Sequence, residues 1–147
     1  MTMSTLIRFR MAPDAGDLKP RKAHADDAAY DLCARENVTL PSGKPTLVPT
    51  GVFLELPAGF EAQIRPRSGL AVKQGLTLLN TPGTIDAGYR GEIQCIMFNT
   101  AETPFEVRRG DRIAQMVIAR LPDVTLEEAA ELNETERASG GFGSTGR

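Results

Sequence analysis

The sequence predicts an all-β domain of sandwich or jelly-roll-like form, and three observations carry that expectation. Apolar runs along the chain are short, and several alternate with polar residues. Ten prolines and fourteen glycines are spread between those runs rather than gathered in one linker. The separators Pro41-Ser42-Gly43, Pro49-Thr50-Gly51 and Pro57-Ala58-Gly59 are turn formers at short, regular spacing, which suits strands and would interrupt a helical bundle.

Taken in order, Leu6–Met11 alternates and reads as a first strand, and polar Asp14–Asp26, with the basic cluster Lys19, Arg21 and Lys22, as a loop. Ala28–Ala34 is a short apolar segment interrupted by Asp31. Val38–Leu40, Thr46–Val48 and Val52–Leu56 are expected as separate strands. Phe60–Arg65 alternates, with Phe60, Ala62 and Ile64 inward. In Pro66–Gly75 the rhythm breaks: Ser68 can cap a short helix and Gly75 can end it. Leu76–Leu79 resumes a strand. Asp86-Ala87-Gly88-Tyr89 has turn chemistry, with a glycine where positive φ is expected, so Gly83–Asn99 reads as a hairpin. Its second strand puts Ile93, Cys95 and Met97 on one face and Ile96 and Phe98 on the other, a pattern expected of a strand buried on both sides. Phe105–Val107 and Ile113–Ile118 complete the strands.

The tail differs. Asp123–Glu136 carries six acids and no base, and Leu126–Leu132 has helical propensity by itself. The last eleven residues, from Arg137, have no aliphatic anchor.

Composition narrows the function. A chain of 147 residues fits one domain, and a net charge of −2 argues against a nucleic-acid-binding face. Cys33 and Cys95 imply no disulfide framework, and a single histidine (His24) makes a zinc site or a histidine-based triad improbable. No run approaches the length of a membrane span and Met1–Met11 has no long apolar core, so a soluble cytoplasmic protein without membrane association is expected.

Several clusters carry two readings. Pro66-Arg67-Ser68-Gly69 joins a guanidinium, a hydroxyl and backbone amides, an oxyanion site or a plain capped turn. Gln115 is a structural glutamine or a ligand-facing amide. Asp31 is a turn former or a metal-associated carboxylate. Asp86, Tyr89 and Arg90 are turn residues or a reactive cluster. Gly141–Gly146 spells GxGxxG but lacks the following helix that a dinucleotide site requires, and no Lys-Ser/Thr pair makes it a P-loop. It is a disordered tail or a lid whose Phe142 stacks on a base.

Five blocks in fixed order, AAYDLCA (Ala28–Ala34), PRSGLA (Pro66–Ala71), GTIDAGYRGEI (Gly83–Ile93), RGDRIAQ (Arg109–Gln115) and RASGGFGSTG (Arg137–Gly146), resemble the motifs of the trimeric deoxyuridine triphosphatases (dUTPases). The resemblance implies a jelly-roll-like (β-clip) homotrimer with one short helix and sites between subunits. It implies one β domain over residues 1–136, with 123–136 an extended arm crossing to a neighbour, and a flexible lid over 137–147. The expected substrate is dUTP, and the expected cofactor Mg²⁺, reached by Asp31 through water. Asp86 would activate the attacking water, and Tyr89 would pack on the deoxyribose. Asn80 and the backbone around Ile85 would read uracil. Arg67, Ser68, Gly69 and Gln115 would hold phosphates, while Arg137, Phe142, Gly143, Ser144 and Thr145 would close over the nucleotide. Two positions depart from the motifs, which usually have glycine where Ala29 and Ala138 stand. The related dCTP deaminases carry a glutamate ten residues beyond the hairpin aspartate; this chain has Ile96 there, which argues against deamination. A non-catalytic nucleotide sensor would be expected to have lost the aspartate or the arm, and both are present. A purely structural β trimer leaves the second and fifth blocks unexplained.

Overall fold

A computed structural model describes residues 3–146. Its strands are β1 (Arg8–Met11), β2 (Tyr30–Cys33), β3 (Val38–Leu40), β4 (Thr46–Glu55), β5 (Phe60–Arg65), β6 (Leu76–Leu78), β7 (Gly83–Ile85), β8 (Glu92–Asn99), β9 (Phe105–Val107) and β10 (Arg112–Arg120), with one helix, α1 (Ser68–Gln74). Two four-stranded antiparallel sheets, β1-β4-β8-β6 and β2-β10-β5-β7, accompany a two-stranded ladder, β3-β9. The predicted all-β class with one short helix is the observed one.

The core lies between these sheets. Leu32, Leu40, Val48, Val52, Leu76, Ile93 and Met97 are fully buried, and truncating one of the leucines, Ile93 or Met97 to alanine costs ~2–5 kcal/mol. Phe60–Arg65 alternates nearly as expected, with Ala62 and Ile64 buried and Phe60 half-exposed.

Four local expectations are corrected. First, Gly83–Asn99 is not a hairpin. β7 pairs with β5 through Ala62–Ile85 and Ile64–Gly83, while β8 lies in the other sheet. A strand has only two edges, and those of β8 are taken by β4 and β6, so the chain crosses between sheets over residues 86–91. Gly88 accordingly has no positive φ, because no tight two-residue turn is made there. Second, β8 is buried on one face only: Ile96 and Phe98 are half-exposed and Gln94 is exposed. Third, the two strands expected on either side of Pro49-Thr50-Gly51 are one, because a bulge absorbs Gly51 at φ 74. Fourth, Ser68 is the first residue of α1 and not its cap; Arg67 is extended at the cap position, and no side chain caps the helix. Gly75 does end the helix in the left-handed conformation.

After β10 the chain forms no further strand or helix among the described residues. The helical propensity of Leu126–Leu132 is not realised. Leu126 and Leu132 are almost fully exposed, and so short an isolated helix lacks the packing that would hold it.

Candidate active site

β10 lies between β2 and β5, and its register gathers the first, second and fourth blocks. Gln115 faces Asp31 on one side and Arg65 on the other, so the three residues form a row across the sheet. Immediately past Arg65 the chain turns through Pro66 and Arg67 into α1. The result is a cleft of about 370 Å³ lined by Asp27, Ala29, Asp31, Arg67, Ser68, Gly69, Arg112 and Gln115, among others.

Its charge pattern is a carboxylate between two guanidiniums. Arg67 Nε stands 3.6 Å and Arg112 Nη1 3.7 Å from the Asp31 carboxylate, which is one-quarter exposed. Arg67 Nη1 also donates to the Arg112 carbonyl at 3.1 Å, which fixes the guanidinium over the cleft. The two guanidiniums beside Ser68 and Gly69 offer planar N–H donors suited to polyanion oxygens, with Asp27 and Asp31 the cleft's two carboxylates. Gln115 Nε2 donates to the Pro66 carbonyl at 2.8 Å, so this amide holds the turn before α1 while lining the cleft. Arg112 was not singled out in the sequence. The available signal was its place in RGDRIAQ, opening β10 opposite Cys33.

A second group occupies the crossover. Asn80, Asp86 and Tyr89 are exposed and Ile85 is half-buried. The Asp86 carbonyl accepts the Tyr89 amide at 3.1 Å, while its carboxylate has no protein partner among the described residues. The Tyr89 ring folds back over Gly91, and its hydroxyl donates to the Glu92 carbonyl at 2.8 Å. A Cβ on Gly91 would lie 2.5 Å from that hydroxyl oxygen, so any larger residue here would displace the ring. Arg90 Nη1 donates to the Ala87 carbonyl at 2.6 Å and closes the turn.

The third group is the tail. The last hydrogen bond to the body is Leu121 N–H to the Gly59 carbonyl, at 2.8 Å; none links residues 122–146 to it among the described residues. Arg137 Nε donates to the Gly140 carbonyl at 2.8 Å, Ser144 N–H to the Gly141 carbonyl at 3.0 Å, and Phe142 is fully exposed. Gly143 (φ 80), Phe142 (φ 52) and Ala138 (φ 49) are left-handed, and Thr145 is exposed. Arg147 lies outside the described residues. Ala29, by contrast, is not left-handed, so its methyl group meets no backbone penalty.

One chain therefore brings Asp31, Arg67, Ser68, Gly69 and Gln115 together but leaves the Asp86 turn and the tail apart from them. Asp86 follows the Ile85–Ala62 pair and comes level with Glu61, near the start of β5, whereas Ser68 follows its far end. Glu61 to Arg65 alone spans ~13 Å at strand rise. Among the described residues no group of three or more His, Cys, Asp or Glu side chains is placed to hold a metal by itself. Asp31 fits only an ion that takes most of its ligands from water and a phosphate chain, which is the habit of Mg²⁺. No helix among the described residues is long and apolar enough to cross a membrane.

The family model for dUTPase matches residues 18–146. The deoxyuridine 5'-triphosphate nucleotidohydrolase of Gloeothece citriformis is 56% identical over 127 residues, covering 86% of this chain and 88% of its own. That of Neorickettsia sennetsu is 54% identical over 147 residues, covering 98% of this chain and 99% of its own. Among solved structures, a mutant dUTPase of Staphylococcus bacteriophage 80alpha with dUpNHpp is similar at TM-score 0.89 and 25% identity, covering 98% of this chain and 100% of that one. The dUTPase of phage phi11 of S. aureus, with a structural Mg(II) ion, is similar in fold at TM-score 0.78 and 24% identity, covering 86% and 98%.

Proposed function

The chain belongs to the dUTPase family, and from that premise we propose that it hydrolyses dUTP to dUMP and pyrophosphate at sites shared between the subunits of a homotrimer. The observation that carries this reading is the cleft in which Arg67 and Arg112 flank Asp31 beside Ser68 and Gly69. Its guanidiniums, hydroxyl and backbone amides suit a phosphate chain, and because Asp31 is engaged by Arg67 and Arg112 and Asp27 by the His24 amide, the group that activates water comes from elsewhere.

Asp86 supplies that group. Its exposed carboxylate, without a partner among the described residues, takes a proton from water as the water oxygen bonds to the α-phosphorus. The bond from that phosphorus to the oxygen leading to the β-phosphate breaks, and pyrophosphate leaves in line. Arg67, Ser68, Gly69 and Gln115 position the phosphates. Asp31 would hold Mg²⁺ through water, and the chemistry the ion would supply there is neutralisation of phosphate charge. Tyr89 packs on the deoxyribose and excludes a 2′-hydroxyl, while Asn80 and the backbone at Ile85 read uracil. Arg137, Phe142, Gly143, Ser144 and Thr145 close over the nucleotide, with Phe142 stacked on the base.

The assembly has two supports. Asp86 and Ser68 lie beyond opposite ends of β5, so a complete site needs a second chain. The outer face of the β4–β8 ladder carries Leu47, more than half exposed, opposite Ile96, an apolar surface for a subunit contact. The 123–136 segment then serves as the arm that carries the lid to a neighbour. Both cysteines are free, as a cytoplasmic enzyme would have them, and the reaction there limits uracil in DNA and supplies dUMP for dTTP synthesis.

The test is turnover of dUTP, UTP, dTTP and dCTP side by side, with and without Mg²⁺. The expected result is Mg²⁺-dependent release of pyrophosphate from dUTP in strong preference to the others. Orthophosphate release, deamination of dCTP, or binding without turnover refutes the proposal.

A further inference from the structure

We infer that Glu92 and Arg35 are positioning residues for Tyr89 and thereby set the preference for a 2′-deoxy sugar; the inference rests on the assignment of Tyr89 given above. The exposed turn is closed largely by its own bonds: Tyr89 N–H to the Asp86 carbonyl and Arg90 to the Ala87 carbonyl. The phenol has one tether besides, its 2.8 Å hydrogen bond to the Glu92 carbonyl. The position of that carbonyl is therefore the position of the ring.

Glu92 is held unusually firmly for the first residue of a strand. Its carboxylate is only 16% exposed and accepts from Arg35 Nη1 at 2.8 Å and from the Gly51 amide at 3.0 Å, both at Oε2. The Gly51 amide is free because of the bulge: between the Pro49–Gln94 and Phe53–Glu92 pairs, β4 advances four residues and β8 two. Glu92 thus fills the acceptor role that the ladder leaves open. Arg35 is fixed in turn by the Asp14 carboxylate at 2.8 Å and by its own amide on the Pro49 carbonyl at 2.8 Å. Gly51 approaches Ala15 closely, since a Cβ there would lie 2.6 Å from the Ala15 Cβ. Contacts run without a break from Asp14 through Arg35 and Glu92 to the Tyr89 hydroxyl, and none of the ionic members is among the groups proposed to touch the nucleotide.

The experiment measures kcat/KM for dUTP and UTP in Glu92→Ala, Glu92→Gln, Arg35→Ala, Tyr89→Phe, Tyr89→Ala and the double variant Glu92→Ala with Tyr89→Phe. Glu92→Ala and Arg35→Ala are expected to lower the dUTP-to-UTP ratio about tenfold, the scale of a small misplacement of a positioning group. Glu92→Gln, which keeps an acceptor for Gly51, recovers part of it. The double variant is no less selective than Tyr89→Phe, because both changes cut one tether. A general loss of stability would instead lower both substrates together and leave the ratio alone. If Tyr89→Ala lowers the ratio and the Glu92 and Arg35 variants, Glu92→Gln included, keep the parent value, the positioning role is overturned. If Tyr89→Ala itself keeps that value, the assignment of Tyr89 fails, and the inference with it.

Discussion

Ile85 lies directly across from Ala62 in the β5–β7 ladder, and that pairing sends Asp86 to one end of β5 while Ser68 follows the other. A site that uses both residues takes them from two chains. Mixing Asp86→Asn subunits with Arg67→Ala subunits, each inactive alone, should therefore restore activity. With random assembly about one site in four recovers both native residues across a head-to-tail contact. Activity no higher than in either parent, after subunit exchange is verified by mass, would show that each site belongs to one chain.

Asp86→Asn keeps the size of the side chain and removes its basicity. Since the carboxylate has no partner to lose among the described residues of its chain, the variant should fold with an unchanged Tm, and kcat should fall by at least ~10²-fold. Steady-state kinetics with thermal unfolding on the same samples checks both halves. Near-normal kcat would remove the assignment.

The tail makes no hydrogen bond to the body beyond Leu121 among the described residues, so deleting residues 137–147 should leave Tm nearly unchanged and greatly reduce kcat/KM. Phe142→Ala should weaken nucleotide binding by ~1–3 kcal/mol, the value of one base stack. Ala138→Gly is the informative opposite. Ala138 holds φ 49, where alanine costs ~1–2 kcal/mol relative to glycine, so the glycine variant should alter KM or kcat/KM without altering Tm. A shift in Tm alone would place the effect in the fold instead.

Acid should loosen the 14–18 loop through one pair above all. Arg109 donates twice to the Asp17 carboxylate, at 2.7 and 3.0 Å, and holds its pKa at about 2 against an ordinary 3.8. The hydrogen bond from Arg35 holds the Asp14 carboxyl low as well. A depressed folded-state pKa means that the unfolded chain binds more protons in this window. The stabilisation is thus fully present above the ordinary value and is lost as pH falls from near 4 toward about 2. Unfolding midpoints from pH 6 to 2 should show that decline, and Arg109→Gln should flatten it, the two curves converging at the acid end.

Much of the fold was legible in the sequence because alternation and turn chemistry are local. Phe60–Arg65 read as a strand because its alternation is nearly clean, and Gly75 ended its helix because only a left-handed residue fits there. Leu126–Leu132 has helical propensity but forms no helix, because propensity without a packing partner does not hold one. The Gly83–Asn99 hairpin misled for a different reason: local turn residues cannot report that both edges of β8 are already taken.

By itself the sequence determined the all-β class, the five blocks and the residue types of the candidate site, since strand patterning and reactive groups are properties of short segments. Tertiary structure alone decided which of those groups meet. The β2-β10-β5 register placed Asp31, Gln115 and Arg65 in one row and added Arg112, while the β5–β7 pairing carried Asp86 away from them. Register follows from which strand edges remain unpaired once the core is closed, and no segment read alone contains that information.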